Sequence, residues 1–187
     1  QEQKRAQLQE KAIQLKSQIL DHCKKSIQAY SSAAADLVDP EALGFCVQRV
    51  VSFCGEENEK TNCESQIQIG YQTFKKHLSH KSEFERVSKD VALYYQLRNK
   101  YSEAISTLYP LYSLQAKYPC SYEHTELLLK MLNLHLKSQD QKGFDSYWKM
   151  ATYCENSGKL STKGAKFVRD QTQNQVTIQS PPIVEKP

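Results

Sequence analysis

The sequence predicts an all-α protein of antiparallel helical hairpins, stacked as a short solenoid or bundle, with a long N-terminal helix and an extended C-terminal tail. Three observations carry this. Apolar residues recur at helical spacing in one segment after another, and N-cap, Pro and Gly signals divide the segments at short intervals. The stretch Asp90–Pro119, DVALYYQLRNKYSEAISTLYPLYSLQAKYP, reads as two amphipathic helices with a tight break at Arg98–Lys100 and a stop at Pro119. Such a hairpin has an apolar face that it cannot bury alone, so it implies neighbours on both sides. The expected segmentation is a long helix over 1–38, a helical-hairpin domain over 39–158, and a short helix plus extended or disordered tail over 159–187.

The first segment, to about Ala35, is rich in Gln, Lys, Ala and Leu and has no Pro or Gly. Leu8, Ala12, Leu15 and Ile19 form a narrow apolar stripe that packs either on the body or on a partner helix. Val38-Asp39-Pro40-Glu41 is a break and restart, with Asp39 as N-cap and Pro40 at the first helical position. In the next helix Leu43, Val47, Val50, Val51 and Cys54 share a face, and Gly55 is the expected C-cap. Beyond the acidic GEENEK loop, Thr61-x-x-Glu64 is a capping box that opens a helix with Ile67, Tyr71, Phe74 and Leu78 on one side. Ser82-x-x-Glu85 is a second such box, ahead of Phe84, Val87, Val91 and Tyr95.

In the central hairpin, Tyr101 precedes the small Ala104 by one turn, so that a paired helix can approach over the alanine while the ring fills the space behind it. Pro110 lies inside the second helix and is expected to kink it. Ser121 caps the following helix, which bears Leu127, Leu128, Met131, Leu134 and Leu136. A loop at Ser138–Gly143 turns the chain into Phe144–Asn156, with Phe144, Trp148, Met150 and Ala151, and Gly158 ends that helix. About seven helices in antiparallel pairs result. The last stretch, QTQNQVTIQSPPIVEKP, lacks a helical period and is expected to be extended, with Val176-Thr177-Ile178 able to add to a partner's sheet edge.

Tyr101 and Ala104 in KYSEAI, with Pro119 downstream, resemble the core of a tetratricopeptide repeat. The resemblance covers about one repeat, Asp90–Pro119. Phe144 follows Tyr101 by a longer interval than the roughly 34-residue period of that family. The resemblance implies stacked hairpins that present a concave face to a peptide or a partner helix.

Lys and Arg number 25 and Asp and Glu 21, spread along the chain, a balance that does not point to nucleic acid. Lys159, Lys163, Lys166 and Arg169 form the one basic stretch, read as a solvated helix face. No apolar run approaches the ~20 residues of a membrane span. No phosphate loop, nucleophile elbow or set-apart carboxylate pair is present, and neither catalytic residues, a metal nor a cofactor is expected. His77 and His80 stand as H-x-x-H without further ligands nearby, and are read with His22, His124 and His135 as isolated.

Six cysteines allow fifteen pairings. Cys54 and Cys63 flank one loop, and Cys120 and Cys154 lie at ends that a hairpin brings together. Cys23 and Cys46 are left to pair if the first helix stops near Tyr30. Disulfides imply an extracytoplasmic setting, secreted or periplasmic, whereas six buried thiols would fit the cytosol. The chain begins with Gln1, as a chain trimmed of a signal peptide or a fragment would.

Nine of the eleven tyrosines fall between Tyr94 and Tyr153. The expected partner-binding residues are Tyr94, Tyr95, Tyr101, Tyr109 and Tyr112, on the reasoning that adjacent Tyr94 and Tyr95 cannot both face a core. The expected function is a non-catalytic protein-interaction module or a structural component of a larger envelope, secretion or surface assembly. A secreted helical effector, an enzyme with an unrecognised site, and a cytosolic chaperone for a secreted protein are the alternatives.

Overall fold

A computed structural model describes residues 2–56, 63–77 and 82–179, with side chains placed throughout except at 55, 56 and 173–179. The described residues are all-helical, with no strand among them. Eight α-helices follow one another: α1 (Glu2–Ser32), α2 (Pro40–Glu56), α3 (Cys63–His77), α4 (Ser82–Leu97), α5 (Tyr101–Gln115), α6 (Tyr122–Lys137), α7 (Gln141–Asn156) and α8 (Thr162–Gln179). A single 3₁₀ turn, Ala35–Leu37, links α1 to α2.

The chain divides into two compact units, residues 1–107 and 108–187, so the expected boundaries at 38/39 and 158/159 each fall inside a unit. The division lies within α5, one turn before Pro110. α5 continues through that proline, which has no N–H to offer the Ser106 carbonyl. The neighbouring Thr107 carbonyl is taken by the Tyr71 hydroxyl at 2.6 Å.

In the first unit α2 packs against α1, α3 and α4. Of its expected face, Leu43, Val47, Val50 and Cys54 are enclosed, with Ile27 of α1, Ile67 and Phe74 of α3, and Phe84, Val87 and Val91 of α4, whereas Val51, next to Val50 and so turned about 100° round the helix, is only half-buried. Gly70 permits the close approach of α3, since a methyl group there would strike Val47 and meet Ile27. The Asp39 carboxylate accepts from the Glu41 and Ala42 amides at 2.9 and 3.2 Å, the cap read from the sequence. Gly55 is helical, so α2 ends two residues later than expected. Ser82 is the first helical residue of α4 rather than a residue ahead of it. Thr61 and Leu78 lie outside the described residues.

In the second unit α6 packs on α7, and α7 on α8. Leu128, Leu132, Phe144, Ala151, Cys154 and Val168 form its core, flanked by Trp148 and Phe167. Ser121 caps α6 through the His124 amide, and Asp140 and Ser161 cap the helices after them through Gly143 and Gly164.

Three helices end in the same way. Asn99, Gln139 and Gly158 have φ of 58°, 57° and 67°. The next amide in each case, Lys100, Asp140 or Lys159, donates back to the carbonyl of Tyr95, His135 or Cys154. This is the left-handed cap that closes a helix and reverses the chain. The break at Arg98–Lys100 and the Ser138–Asp140 loop are thus one turn used twice.

α8 departs from expectation. It runs on through Gln171–Gln179, including Val176-Thr177-Ile178, all expected to be extended. No Pro or Gly interrupts Ala165–Gln179, and a helix already nucleated gains a hydrogen bond for each residue added. Pro181, Pro182 and Pro187 lie outside the described residues.

Candidate functional site

An open cleft of about 470 Å³ lies on the first unit's surface between α2 and α4, lined by Phe45, Gln48, Arg49, Val51, Ser52, Asp90, Leu93, Tyr94, Leu97 and Arg98. Three large apolar side chains in it face solvent: Phe45 at 47 %, Leu93 at 46 % and Leu97 at 71 % exposure. The two helices show their buried faces to the core, and these residues lie on the remaining arc of each, where the apolar period breaks its own register.

Cations frame the cleft. The Arg49 guanidinium lies 4.8 Å from the centre of the Phe45 ring, and that of Arg98 lies 3.9 Å from the centre of Tyr94. Arg98 also donates to the Cys54 carbonyl at 2.6 Å, which closes the end of α2 beside the Cys54–Cys63 disulfide. Asp90, the carboxylate in the lining, accepts from the Gln48 amide at 2.5 Å. A guanidinium stacked on a ring keeps its edge donors available to a carboxylate. The cleft therefore offers apolar contact and fixed positive charge together.

Tyr94 and Tyr95 are both buried, at 4 % and 3 % exposure. Of the two placements expected for one of them, exposed or lining a groove, exposure does not occur: α4 packs on α2 along one side and α3 along another, so positions about 100° apart on the helix both meet neighbours, and each ring borders a cleft. Tyr94 supports the cleft wall under Arg98. Tyr95 lies against a second cleft, with Gln68, Tyr71 and Thr107, and hydrogen-bonds Gln68; burial raises its pKa. Tyr71 is pushed up to about 12 by burial. Tyr101 is half-buried and donates to the Asn99 side chain at 2.7 Å, while Ala104 behind it is fully enclosed.

Tyr109 and Tyr112 belong to the second unit. Tyr109 is 56 % exposed. Tyr112 lies in a row of rings, 5.2 Å from His124 and 5.0 Å from Tyr147, which in turn stacks on His135 at 5.2 Å. Burial raises the pKa of Tyr112 and takes Tyr147 to about 12, so both phenols keep their protons at neutral pH.

His124 and His135, read as isolated, are buried. His124 Nδ1 accepts from the Cys120 amide at 3.1 Å, and burial lowers the pKa of its ring. His135 Nδ1 lies 3.0 Å from Asp140 Oδ2, whose pKa is lowered first by the Gly143 amide. No residue spacing announced this pair, because Asp140 also serves as the α7 cap. His80 lies outside the described residues, which leaves the H-x-x-H pair with it. Among the described residues no three His, Cys, Asp or Glu side chains converge as metal ligands.

Cys54–Cys63 and Cys120–Cys154 stand at disulfide distance, with Cα separations of 6.1 and 5.4 Å. Cys23 and Cys46, expected as a third pair, are free buried thiols in hydrogen-bond contact between α1 and α2. Burial, then the neighbouring thiol, pushes Cys23 up to about 12. The thiolate that disulfide exchange requires is therefore scarce there. No described helix is long and apolar enough to cross a membrane.

Compared with known proteins, the chain matches no family model, no curated protein and no solved structure.

Proposed function

We propose that the chain is a non-catalytic protein-interaction module, and that the cleft between α2 and α4 receives an apolar peptide or one face of an amphipathic helix bearing a carboxylate. The observation that carries this reading is the set of exposed Phe45, Leu93 and Leu97 between two ring-stacked arginines. Exposed apolar side chains are ordinary singly, but three on adjoining helices around one concavity make an anchor site. Arg49 and Arg98 would receive the carboxylate at the rim, and Tyr94 serves as wall. Of the tyrosines expected to bind a partner, Tyr94 lines this cleft, and Tyr95 borders another.

The repeated turn at Asn99 and Gln139 supports stacked hairpins of the tetratricopeptide kind. Two disulfides support an oxidising, extracytoplasmic setting, since such bonds are kept reduced in the cytosol. A structural component of a surface or secretion assembly is consistent with both.

The test is capture from native extract with the immobilised chain, beside Phe45→Asp/Leu97→Asp. Both side chains are exposed, so the variant should keep its helicity and melting temperature. The proposal expects a protein retained by the wild type and lost with the variant. Equal retention by the two would refute it.

A further inference from the structure

Among the described residues, no neighbour covers the first half of α1. Every residue from Glu2 to Leu15 is exposed, and burial along the helix begins only at Cys23 and Ile27. At 1.5 Å per residue, about 20 Å of helix stands clear of buried contacts. Within it Leu8, Ala12, Leu15 and Ile19 lie in heptad register, and Leu8 and Leu15 are 60 % and 57 % exposed. Of the two uses read for this stripe, packing on the body is therefore not the one the first three residues serve.

The flanks of the stripe say what could cover it. With Leu8 and Leu15 at d, Ala12 and Ile19 fall at a, Lys4 and Lys11 at g, and Glu2, Gln9 and Lys16 at e. Arg5 occupies the a position one heptad before Ala12. The Lys16 ammonium lies over the Phe53 ring of α2 at 5.0 Å. A second copy of the chain fits poorly: in parallel register Lys11 would face Lys16, and in antiparallel register centred on Lys11 it would face its own equivalent. Neither orientation sets an acid against Lys4 or Lys11, and like charges at such positions oppose pairing; the Glu2 that the antiparallel register would bring to Lys16 meets an ammonium already turned over the Phe53 ring.

A lipid surface fits poorly as well. Helices that lie in a membrane interface present a broad apolar face with Trp, Phe or Leu. Here no aromatic residue precedes Tyr30, and Gln3, Gln7, Gln9, Gln14 and Gln18 narrow the apolar surface to a seam. We infer that this half of α1 is a docking helix for a partner helix with Leu or Ile in its seam and Glu or Asp at its e and g positions. The partner's acids would pair Lys4 and Lys11, and its seam would cover Leu8, Ala12 and Leu15. Because α1 is already anchored through Cys23 and Ile27, ordering cost falls mainly on the partner.

The test uses the full chain and a labelled three-heptad peptide with Ile at a, Leu at d and Glu at e and g, followed by fluorescence anisotropy. A second peptide carries Lys at e and g, and vesicles containing phosphatidylserine form a third arm. The inference expects the Glu peptide to bind at least about tenfold more tightly than the Lys peptide, with affinity falling as salt rises. Leu8→Asp/Leu15→Asp should weaken that binding by about tenfold or more, with unchanged helicity, and Leu37→Asp, an exposed apolar site elsewhere, should bind as wild type. Equal binding of the two peptides, indifference to Leu8→Asp/Leu15→Asp, or loss with Leu37→Asp would overturn it. So would vesicle binding in place of peptide binding, or a dimer in sedimentation that Leu8→Asp/Leu15→Asp dissolves.

Discussion

Gly143 is a single residue on which a local arrangement depends. A methyl group there would strike His135 Nδ1 and the Asp140 carboxylate, the pair that joins the end of α6 to the cap of α7. Gly143→Ala should therefore destabilise the second unit by about 1–3 kcal/mol despite the better helix propensity of alanine. Urea denaturation would read this, and an unchanged midpoint would show that the pair relaxes freely. His124 carries a pH dependence whose sign follows from burial. Its pKa is lowered from 6.5 in the fold, so below about 6.5 the unfolded chain binds the extra proton and stability falls as the pH drops toward the folded value. Stability measured at pH 7.5 and 5.5 should differ in that direction, and His124→Asn should flatten the difference; a slope left intact would assign it to other groups. Neither residue stood out in the sequence. A lone histidine at helical spacing looks the same whether it faces water or a tyrosine ring, and a glycine one turn into a helix gives no sign of what lies across from it. Tyr94 and Tyr95 show the same limit: the sequence could not say that α4 has two neighbours, so that both rings are buried and each borders a cleft.

Elements were more legible than residues. Asp39-Pro40, Ser121 and Gly158 announced their helix ends because each acts on backbone within a few residues of itself. The apolar faces of α2, α3, α4 and α6 followed from their periods for the same reason. α8 was cut short because Gln, Asn and Thr have no apolar rhythm, although nothing in them stops a helix. The disulfides are properties of paired elements. Cys120–Cys154 joins residues 34 apart in sequence and Cys54–Cys63 residues 9 apart. Loop-closure entropy then makes the first worth about 4 kcal/mol and the second about 3 kcal/mol. Replacing each pair by alanine and measuring denaturation under non-reducing conditions should preserve that order. The reverse order would mean that native packing at the α2–α3 junction outweighs chain entropy.

For the whole molecule, the fold class was readable but the division into two units was not, since it falls inside one helix whose sequence shows only Pro110 as a cue. The cleft was equally hidden: Phe45, Leu93 and Leu97 interrupt the apolar period and come together only when α2 and α4 lie side by side. The most direct test of that cleft replaces Leu93 with a photoreactive amino acid and irradiates the chain with its captured partner, with Tyr109 and Tyr153, both exposed elsewhere, replaced in parallel. A crosslink from position 93, and none from 109 or 153, is the predicted result. Crosslinks from 109 or 153 with none from 93 would contradict it.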